Sequence, residues 1–200
     1  MKYNLNIGFD EKDLENIYNA NQKVLLIKES PGHGPVAWVT FDPFQKNQVN
    51  WIESYDVYAS THQSQEGATI DKMSERDAVG GCVYDFGNGI FKHNPGEKTS
   101  KGSYKVMNTT TENLTFGLAQ SVKVNGNESF GAPINATTVL AGQDATFIPH
   151  EKVKIFLQSN VENGQVLSTV SSKIYTADFG GVEDAISVKY DGVTGQFIEV

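Results

Sequence analysis

Residues 113–124, NLTFGLAQSVKV, place apolar side chains on one parity along most of their length. The positions that share this parity are Leu114, Phe116, Leu118, Val122 and Val124. Alternation with a period of two residues is typical of a β-strand that buries one face. The residues that follow, Asn125-Gly126-Asn127, favour a reversal of the chain. This stretch therefore predicts a long strand that ends in a tight turn.

Turn dipeptides of the Asn-Gly and Asp-Gly type separate several other predicted strands. Both residue pairs adopt positive φ at little cost, which is what the type I′ turn of a β-hairpin requires. Asn88-Gly89 predicts one such turn. Asn163-Gly164 is predicted to join residues 152–162 to 165–177, and Asp191-Gly192 to join residues 185–190 to 193–200.

One helix is predicted near the start of the chain. Asp10 is a candidate N-cap, and the helix is expected to run from about Glu11 to Asn21. Leu14, Ile17 and Tyr18 recur at helical spacing. A helix this short is unstable alone, so these three side chains are expected to dock on the rest of the protein.

Two other segments give contrasting signals. The apolar run Val24–Ile27 predicts a strand that is buried on both faces. Residues 60–77 hold few apolar side chains and predict a long irregular stretch, with one helical turn near 71–76.

In all, about ten short strands are expected. The chain is therefore predicted to be an all-β, mainly antiparallel β-sandwich, a single domain over residues 1–200 with one short N-terminal helix.

Charge narrows the range of partners. The formal net charge is −8, and Arg76 is the only arginine. Phosphate recognition needs clustered Lys and Arg, so nucleic acid is not expected as a partner. Electrostatic docking to an anionic membrane surface is disfavoured for the same reason.

Export signals and membrane spans are not found in the sequence. The first ten residues, MKYNLNIGFD, contain no apolar core of a signal peptide, and no apolar run approaches the length of a membrane span. Cys82 is the only cysteine and is expected to be buried and inert. These features predict a cytoplasmic protein. Release from the cell would then take place without a signal peptide.

Catalytic motifs are scarce. The histidines, His33, His62, His93 and His150, do not have metal-ligand spacing. Nucleophile elbows, P-loops and dinucleotide-binding glycine motifs are also missing. The sequence therefore favours a protein without enzymatic activity, without a cofactor and without a metal site, although a site assembled from distant strands would escape such a search.

Aromatic residues are the most suggestive candidates for binding. Trp38, Trp51, Tyr55 and Tyr58 crowd the first third of the chain, and such side chains stack on sugars or enter lipid interfaces. Trp51 and Tyr55 share the parity of the core-facing valines around them. Tyr58 has the opposite parity and is the strongest of the four as a ligand-binding residue.

The predicted outline, a short helix before a β-sandwich, resembles that of lectin-like and actinoporin-like proteins. The long amphipathic N-terminal helix of actinoporins is missing here, so no residue role is taken from them. The leading hypothesis is a lectin-like or cytolytic-type defence protein that recognises carbohydrate or a cell-surface component. Two alternatives remain open: a self-assembling structural, storage or crystalline inclusion protein that forms homo-oligomers, and an enzyme with a scattered cupin-like metal site.

Overall fold

The computed structural model describes residues 1–167, 173–180 and 183–200. The chain is mostly β, with 58% of residues in strands and 5% in helix. Most strand pairs are antiparallel, and the sheets pack in a sandwich-like arrangement. The predicted all-β fold class is therefore confirmed. Strands are more numerous than the sequence indicated, mainly because Lys2–Gly8, Ser74–Ala78 and Asn127–Pro133 form strands that were not predicted.

The described residues contain one helix and 18 strands. The helix is α1 (Glu11–Asn19). The strands are β1 (Lys2–Gly8), β2 (Gln22–Lys28), β3 (Gly34–Pro35), β4 (Val39–Phe41), β5 (Lys46–Ile52), β6 (Tyr55–Ser60), β7 (Ser74–Ala78), β8 (Cys82–Gly87), β9 (Ile90–Lys98), β10 (Tyr104–Asn108), β11 (Leu114–Val124), β12 (Asn127–Pro133), β13 (Asn135–Val139), β14 (Asp144–Phe147), β15 (Lys152–Ser159), β16 (Tyr175–Asp178), β17 (Ala185–Asp191) and β18 (Gln196–Glu199).

Three sheets are formed by the described strands. The ten-stranded sheet has the order β18-β17-β1-β5-β11-β13-β3, with β12, β6 and β7 branching from it. The two four-stranded sheets have the orders β14-β10-β8-β9 and β16-β15-β2-β4. Strand β11, which carries the alternating segment, is central because it pairs with β5, β6, β12 and β13. The parallel pairs are β1 with β17 and β8 with β10.

The main hydrophobic core lies where the three sheets face one another. Leu5 from the ten-stranded sheet, Val106 from the β8–β10 sheet and Leu26 from the β2–β15 sheet are all fully buried in it. The alternating side chains of β11 enter the same core, including Phe116 and Leu118. Burial of such side chains is the main force that holds the sheets together.

A second set of apolar contacts covers the outer faces of some strands. Leu25 and Ile27 pack on the opposite side of β2 from Val24 and Leu26, so this strand is buried on both faces, as predicted. The outer side of β6 is covered in the same way by a separate cluster that contains Tyr58 and Val166.

Helix α1 docks through fewer residues than expected. Leu14 and Ile17 are buried, but Tyr18 is 48% exposed, so its predicted docking is wrong. The Tyr18 hydroxyl instead donates to the carbonyl of Pro43 at the surface. Asp10 occupies the N-cap position without a side-chain cap bond, because its carboxylate pairs with Lys189 at 2.9 Å.

Two tight turns form as their dipeptides indicate. Asn88 and Gly89 have φ of 52° and 78°, and Asn125 and Gly126 have φ of 49° and 90°. Each pair joins two strands in a two-residue hairpin, β8 to β9 and β11 to β12. Positive φ at both central residues is the property of a type I′ turn.

The two type I′ turns predicted nearer the C-terminus are wrong. At Asn163-Gly164 only the glycine has positive φ, and β15 pairs with β2 and β16 instead of with the residues directly after the turn. The Asn163 side chain accepts hydrogen bonds from the backbone and hydroxyl of Thr40, which fixes its backbone outside the predicted conformation. The β17–β18 hairpin does form, through a four-residue loop in which Asp191 binds Val193 and Thr194.

Residues 60–77 contain a strand where a helical turn was predicted. Ser74–Ala78 forms β7 and pairs antiparallel with β6. Five successive backbone pairings outweigh the weak local preference of this polar stretch. Among the described residues, no helix is long and apolar enough to cross a membrane.

We expect Gly164→Val to destabilise the protein by about 2 kcal/mol or more. Gly164 has φ of 77°, a backbone conformation that is strained for a β-branched residue, and its N–H donates to the Ala37 carbonyl at 2.7 Å. The matched control is Glu162→Val, at an exposed position of the same turn, which should change stability by less than about 0.5 kcal/mol. Urea unfolding of both variants measures the difference, and equal stabilities would contradict the role given to Gly164.

Candidate functional site

Three of the four predicted ligand-binding aromatics meet around a buried ion pair. Lys28, at the end of β2, and Glu151, just before β15, form this pair, with side chains 1% and 10% exposed. Trp38, Trp51 and Tyr55 surround it and are themselves at most 5% exposed. The ion pair therefore lies inside the sandwich, between the ten-stranded sheet and the β2–β15 sheet.

The geometry of this cluster satisfies both charges. The Lys28 ammonium lies 4.6 Å from the ring centroid of Trp51 and 5.1 Å from that of Trp38, which are cation–π distances. Glu151 accepts hydrogen bonds from Lys28, from the Tyr55 hydroxyl and from Trp51 Nε1, the last at 2.9 Å. Hydrogen bonds of this kind offset the desolvation cost of burying an ion pair.

Electrostatics within the cluster follow from burial and pairing. Burial lowers the pKa of Lys28 to about 8, even though Glu151 acts in the opposite direction. Burial alone would raise the pKa of Glu151, but the charge of Lys28 and three hydrogen bonds lower it below its usual value. Burial and the nearby Glu151 raise the pKa of Tyr55. The ring of Tyr104 packs edge-on against that of Tyr55 at 5.5 Å, and burial raises the pKa of Tyr104 to about 12. At neutral pH the cluster is thus a closed ion pair between neutral phenols, inaccessible to a ligand unless the sandwich opens.

Tyr58, the predicted ligand-binding residue with opposite parity, lies elsewhere. Its side chain is 0% exposed in the cluster that covers the outer side of β6. The hydroxyl donates to the backbone carbonyl of Asn135 at 2.5 Å, and burial raises the pKa of the phenol. The predicted parity is correct, but this outer face is covered by other apolar side chains.

An open groove of about 640 Å³ lies on the outward face of β1, β5 and β11. Polar side chains and a somewhat larger apolar surface line it together, and its floor is the sheet itself. The polar side chains that line it are Lys2, Asn4, Gln48, Asn50, Ser54, Ser121, Lys123, Glu128 and Asp184. Ile52, 53% exposed, adds an apolar side chain.

Amide side chains form the centre of this groove. Asn4 of β1 lies directly opposite Asn50 of β5, and Asn50 lies opposite Lys123 of β11. Residues opposite one another on neighbouring strands point to the same face. Among the described residues, no hydrogen-bond donor reaches Asn4 Oδ1, which is buried out of reach of solvent, and Asn4 Nδ2 donates to Asn6 Oδ1 at 3.4 Å. The amide groups that a bound hydroxyl group could reach are therefore those of Gln48 and Asn50.

Charges along the groove are balanced and unpaired. Lys2 and Lys123 supply two positive charges, and Glu128 and Asp184 supply two negative ones. Within the ranges that the structure describes, none of these four side chains takes part in an ion pair. The groove therefore exerts no net electrostatic attraction on a strongly charged ligand of either sign.

The sequence held a signal for this groove that the prediction missed. Polar residues alternate with buried ones in β1, at Lys2, Asn4 and Asn6, and in β5, at Gln48 and Asn50. The alternation in β1 was not interpreted as a strand. The groove depends on the pairing of β1 with β5, and strand pairing between distant segments is not visible in either one alone.

The histidines are spread over separate parts of the fold. His33 bonds to the Thr137 hydroxyl at 2.6 Å and to the Thr146 carbonyl at 2.9 Å, which occupies both ring nitrogens. In the part of the chain that the structure describes, no three His, Cys, Asp or Glu side chains are grouped to hold a metal ion. Cys82 is only partly buried against the main core, less buried than predicted.

Comparisons with known proteins give no match. No family model, no curated protein and no solved structure is significantly similar to this chain. The resemblance in outline to lectin-like and actinoporin-like proteins gains no support from them. Function has to be inferred from the geometry of the chain itself.

Proposed function

We propose that this protein is a non-enzymatic β-sandwich that binds carbohydrate in the groove on the outward face of β1, β5 and β11. The observation that carries the proposal is the row of outward polar side chains, Asn4, Asn50 and Lys123, on three neighbouring strands along an open groove. A ligand rich in hydroxyl groups can form hydrogen bonds with several side chains of such a groove at once.

The chemistry of the groove suits a neutral sugar. Each Asn or Gln side chain offers two donors and an acceptor, and a sugar hydroxyl both donates and accepts. Gln48 and Asn50 thus present both functions on one flat face. The two lysines and two carboxylates at the margins of the groove add further hydrogen-bond donors and acceptors. Because their charges balance, they do not favour an anionic or a cationic ligand. Ile52 offers apolar contact for the C–H face of a ring.

The buried cluster supports this face from below. Trp51 lies between Asn50 and Ile52 on β5, so its indole points inward when they point outward. The indole Nε1 of Trp51 donates to Glu151, and the Lys28 ammonium lies over the face of the indole ring, so the side chain is held in one orientation. A rigid floor lowers the ordering cost of binding, and the predicted aromatics contribute in this indirect way.

The biological setting belongs to the same proposal. Recognition of a cell-surface glycan suits a lectin-like or defence protein, and cytoplasmic origin with leaderless release was the expectation from the sequence. Self-assembly and a cupin-like metal site remain predictions without a specific observation among the described residues that favours them.

We expect the wild-type protein to bind neutral saccharides on a glycan array, and Asn50→Ala to weaken that binding about tenfold. Loss of one good hydrogen bond in a partly shielded site costs about 1–1.5 kcal/mol, which corresponds to roughly that factor. Isothermal titration with the saccharides found on the array measures the change in Kd.

The matched control is Asn16→Ala. Asn16 is exposed on α1 and is not part of the groove. This variant should bind like the wild type. Ser54→Trp, which fills the groove at an exposed position, should abolish binding. Absence of any saccharide binding, or equal weakening in Asn16→Ala and Asn50→Ala, would contradict the proposed function.

A further inference from the structure

Two carboxylates face each other across the pairing of β6 and β7. Asp56 and Asp77 are directly opposite in the antiparallel register, so their side chains point to the same face. Asp56 is half-buried, whereas Asp77 is exposed. Strand β7 is an edge strand of the ten-stranded sheet, because β6 is its one partner in that sheet among the described strands.

The charges around this pair are mostly negative. Glu75, two residues before Asp77 on β7, points to the same face. Lys72 is the cation of the cluster; it pairs with Glu75 and donates to the Gly131 carbonyl of β12 at 2.6 Å. Strand β11 places the uncharged Ala119 opposite Asp56. Three carboxylates therefore share one lysine, which is already bound to two oxygen atoms.

Like charges directly opposite on neighbouring strands destabilise their pairing. When one of two adjacent carboxyl groups is protonated, it can donate a hydrogen bond to the other, and repulsion becomes attraction. Burial, hydrogen bonding with Asp77, and the charges of Asp77 and Glu75 together raise the pKa of Asp56 to about 6, against the opposing effect of Lys72.

We propose that Asp56 and Asp77 form an acid-strengthened latch, in which one shared proton fastens the edge strand β7 to β6 and loss of this proton loosens that edge. The latch does not depend on the carbohydrate groove, because none of its carboxylates lines the groove. It is a pH-sensitive element built into the sheet.

The effect of the latch reaches beyond the strand pair. On the other face of β7, the Arg76 guanidinium donates to the Phe91 carbonyl of β9 at 2.8 Å. Strand β7 thus connects the ten-stranded sheet to the sheet that contains β8 and β9. Loosening of β7 weakens this connection.

The sign of the pH dependence follows from the direction of the shift. The folded protein binds the proton of Asp56 near pH 6, above the usual value of 3.8, so it holds that proton more tightly than the unfolded chain does. The stabilisation is fully present below about pH 4 and is lost as the pH rises through about 6.

We expect carboxyl ¹³C NMR to show Asp56 titrating near pH 6. Amide hydrogen exchange, corrected for the intrinsic rate, should show residues 74–78 about three- to tenfold more protected at pH 5 than at pH 7.5. Both measurements use the wild-type protein and so do not depend on the folding of a variant.

Asp77→Asn removes the repulsion and the shared proton, and it should reduce the pH dependence of protection in β7, while burial of Asp56 keeps part of it. The control is Asp71→Asn, an exposed acidic position just before the strand, which should leave the pH dependence intact. Titration of Asp56 near its usual value, with equal protection of β7 at both pH values, would overturn the proposal. So would unchanged pH dependence in Asp77→Asn.

Discussion

Glu151→Ala is expected to destabilise the protein by about 3–5 kcal/mol, because Lys28 loses its partner in the core and must either stay charged there or give up its proton. Lys28 is 1% exposed and lies against the faces of two tryptophans, so water cannot replace the lost carboxylate. The Tyr55 hydroxyl and Trp51 Nε1 also lose their acceptor. Urea unfolding of the variant and the wild type measures the loss.

The double variant Lys28→Met/Glu151→Leu is the control that separates charge from packing. It removes both charges and keeps apolar volume, and such replacements are often neutral or stabilising by about 1–4 kcal/mol. Stability close to that of the wild type is therefore expected for the double variant. A loss below about 1 kcal/mol in Glu151→Ala would show that Lys28 is not isolated from water.

Gly117→Ala should cost about 3 kcal/mol, although alanine is a conservative change. Gly117 lies on β11, where an added Cβ would overlap the Asn135 carbonyl oxygen and lie 2.7 Å from the Tyr58 hydroxyl. The carbonyl belongs to the backbone and the tyrosine is fully buried, so neither can move aside cheaply. Thermal and urea unfolding measure the cost.

Gly8→Ala is the matched control for this steric effect. Gly8 also lies in a strand, but a Cβ there meets no atom closer than 3.7 Å, so we expect a change below about 1 kcal/mol. Tyr58→Phe isolates the hydrogen bond to Asn135 and should cost about 1 kcal/mol. If Gly117→Ala were as stable as Gly8→Ala, close packing of β11 against β6 and β13 would be refuted.

The fold class could be predicted because strand alternation is a local property. The parity of Leu114, Phe116 and Leu118 matches their common burial in the main core. Turn types were less predictable, since they depend on partners far along the chain. Asn163 is held by Thr40, 123 residues away, and a dipeptide preference of a few tenths of a kcal/mol cannot compete with such bonds.

The candidate site was less accessible to prediction than the fold. The parity of Trp51 and Tyr55 correctly placed them on the core face, but their common partner Glu151 lies about a hundred residues further along the chain. Lys28 ends an apolar run and carries no signal of its burial. The groove residues are ordinary surface amides until β1 pairs with β5.

Chemical-shift mapping by NMR tests the central claim most directly. Titration of the labelled wild-type protein with a neutral saccharide from the array should shift backbone amides of residues 2–4, 48, 50–52 and 121–123, which line the groove. Amides outside the groove should stay in place, among them those of the loop that contains Asn160 and Gln165. Shifts confined to that loop, or no shifts at saturating saccharide, would contradict the account.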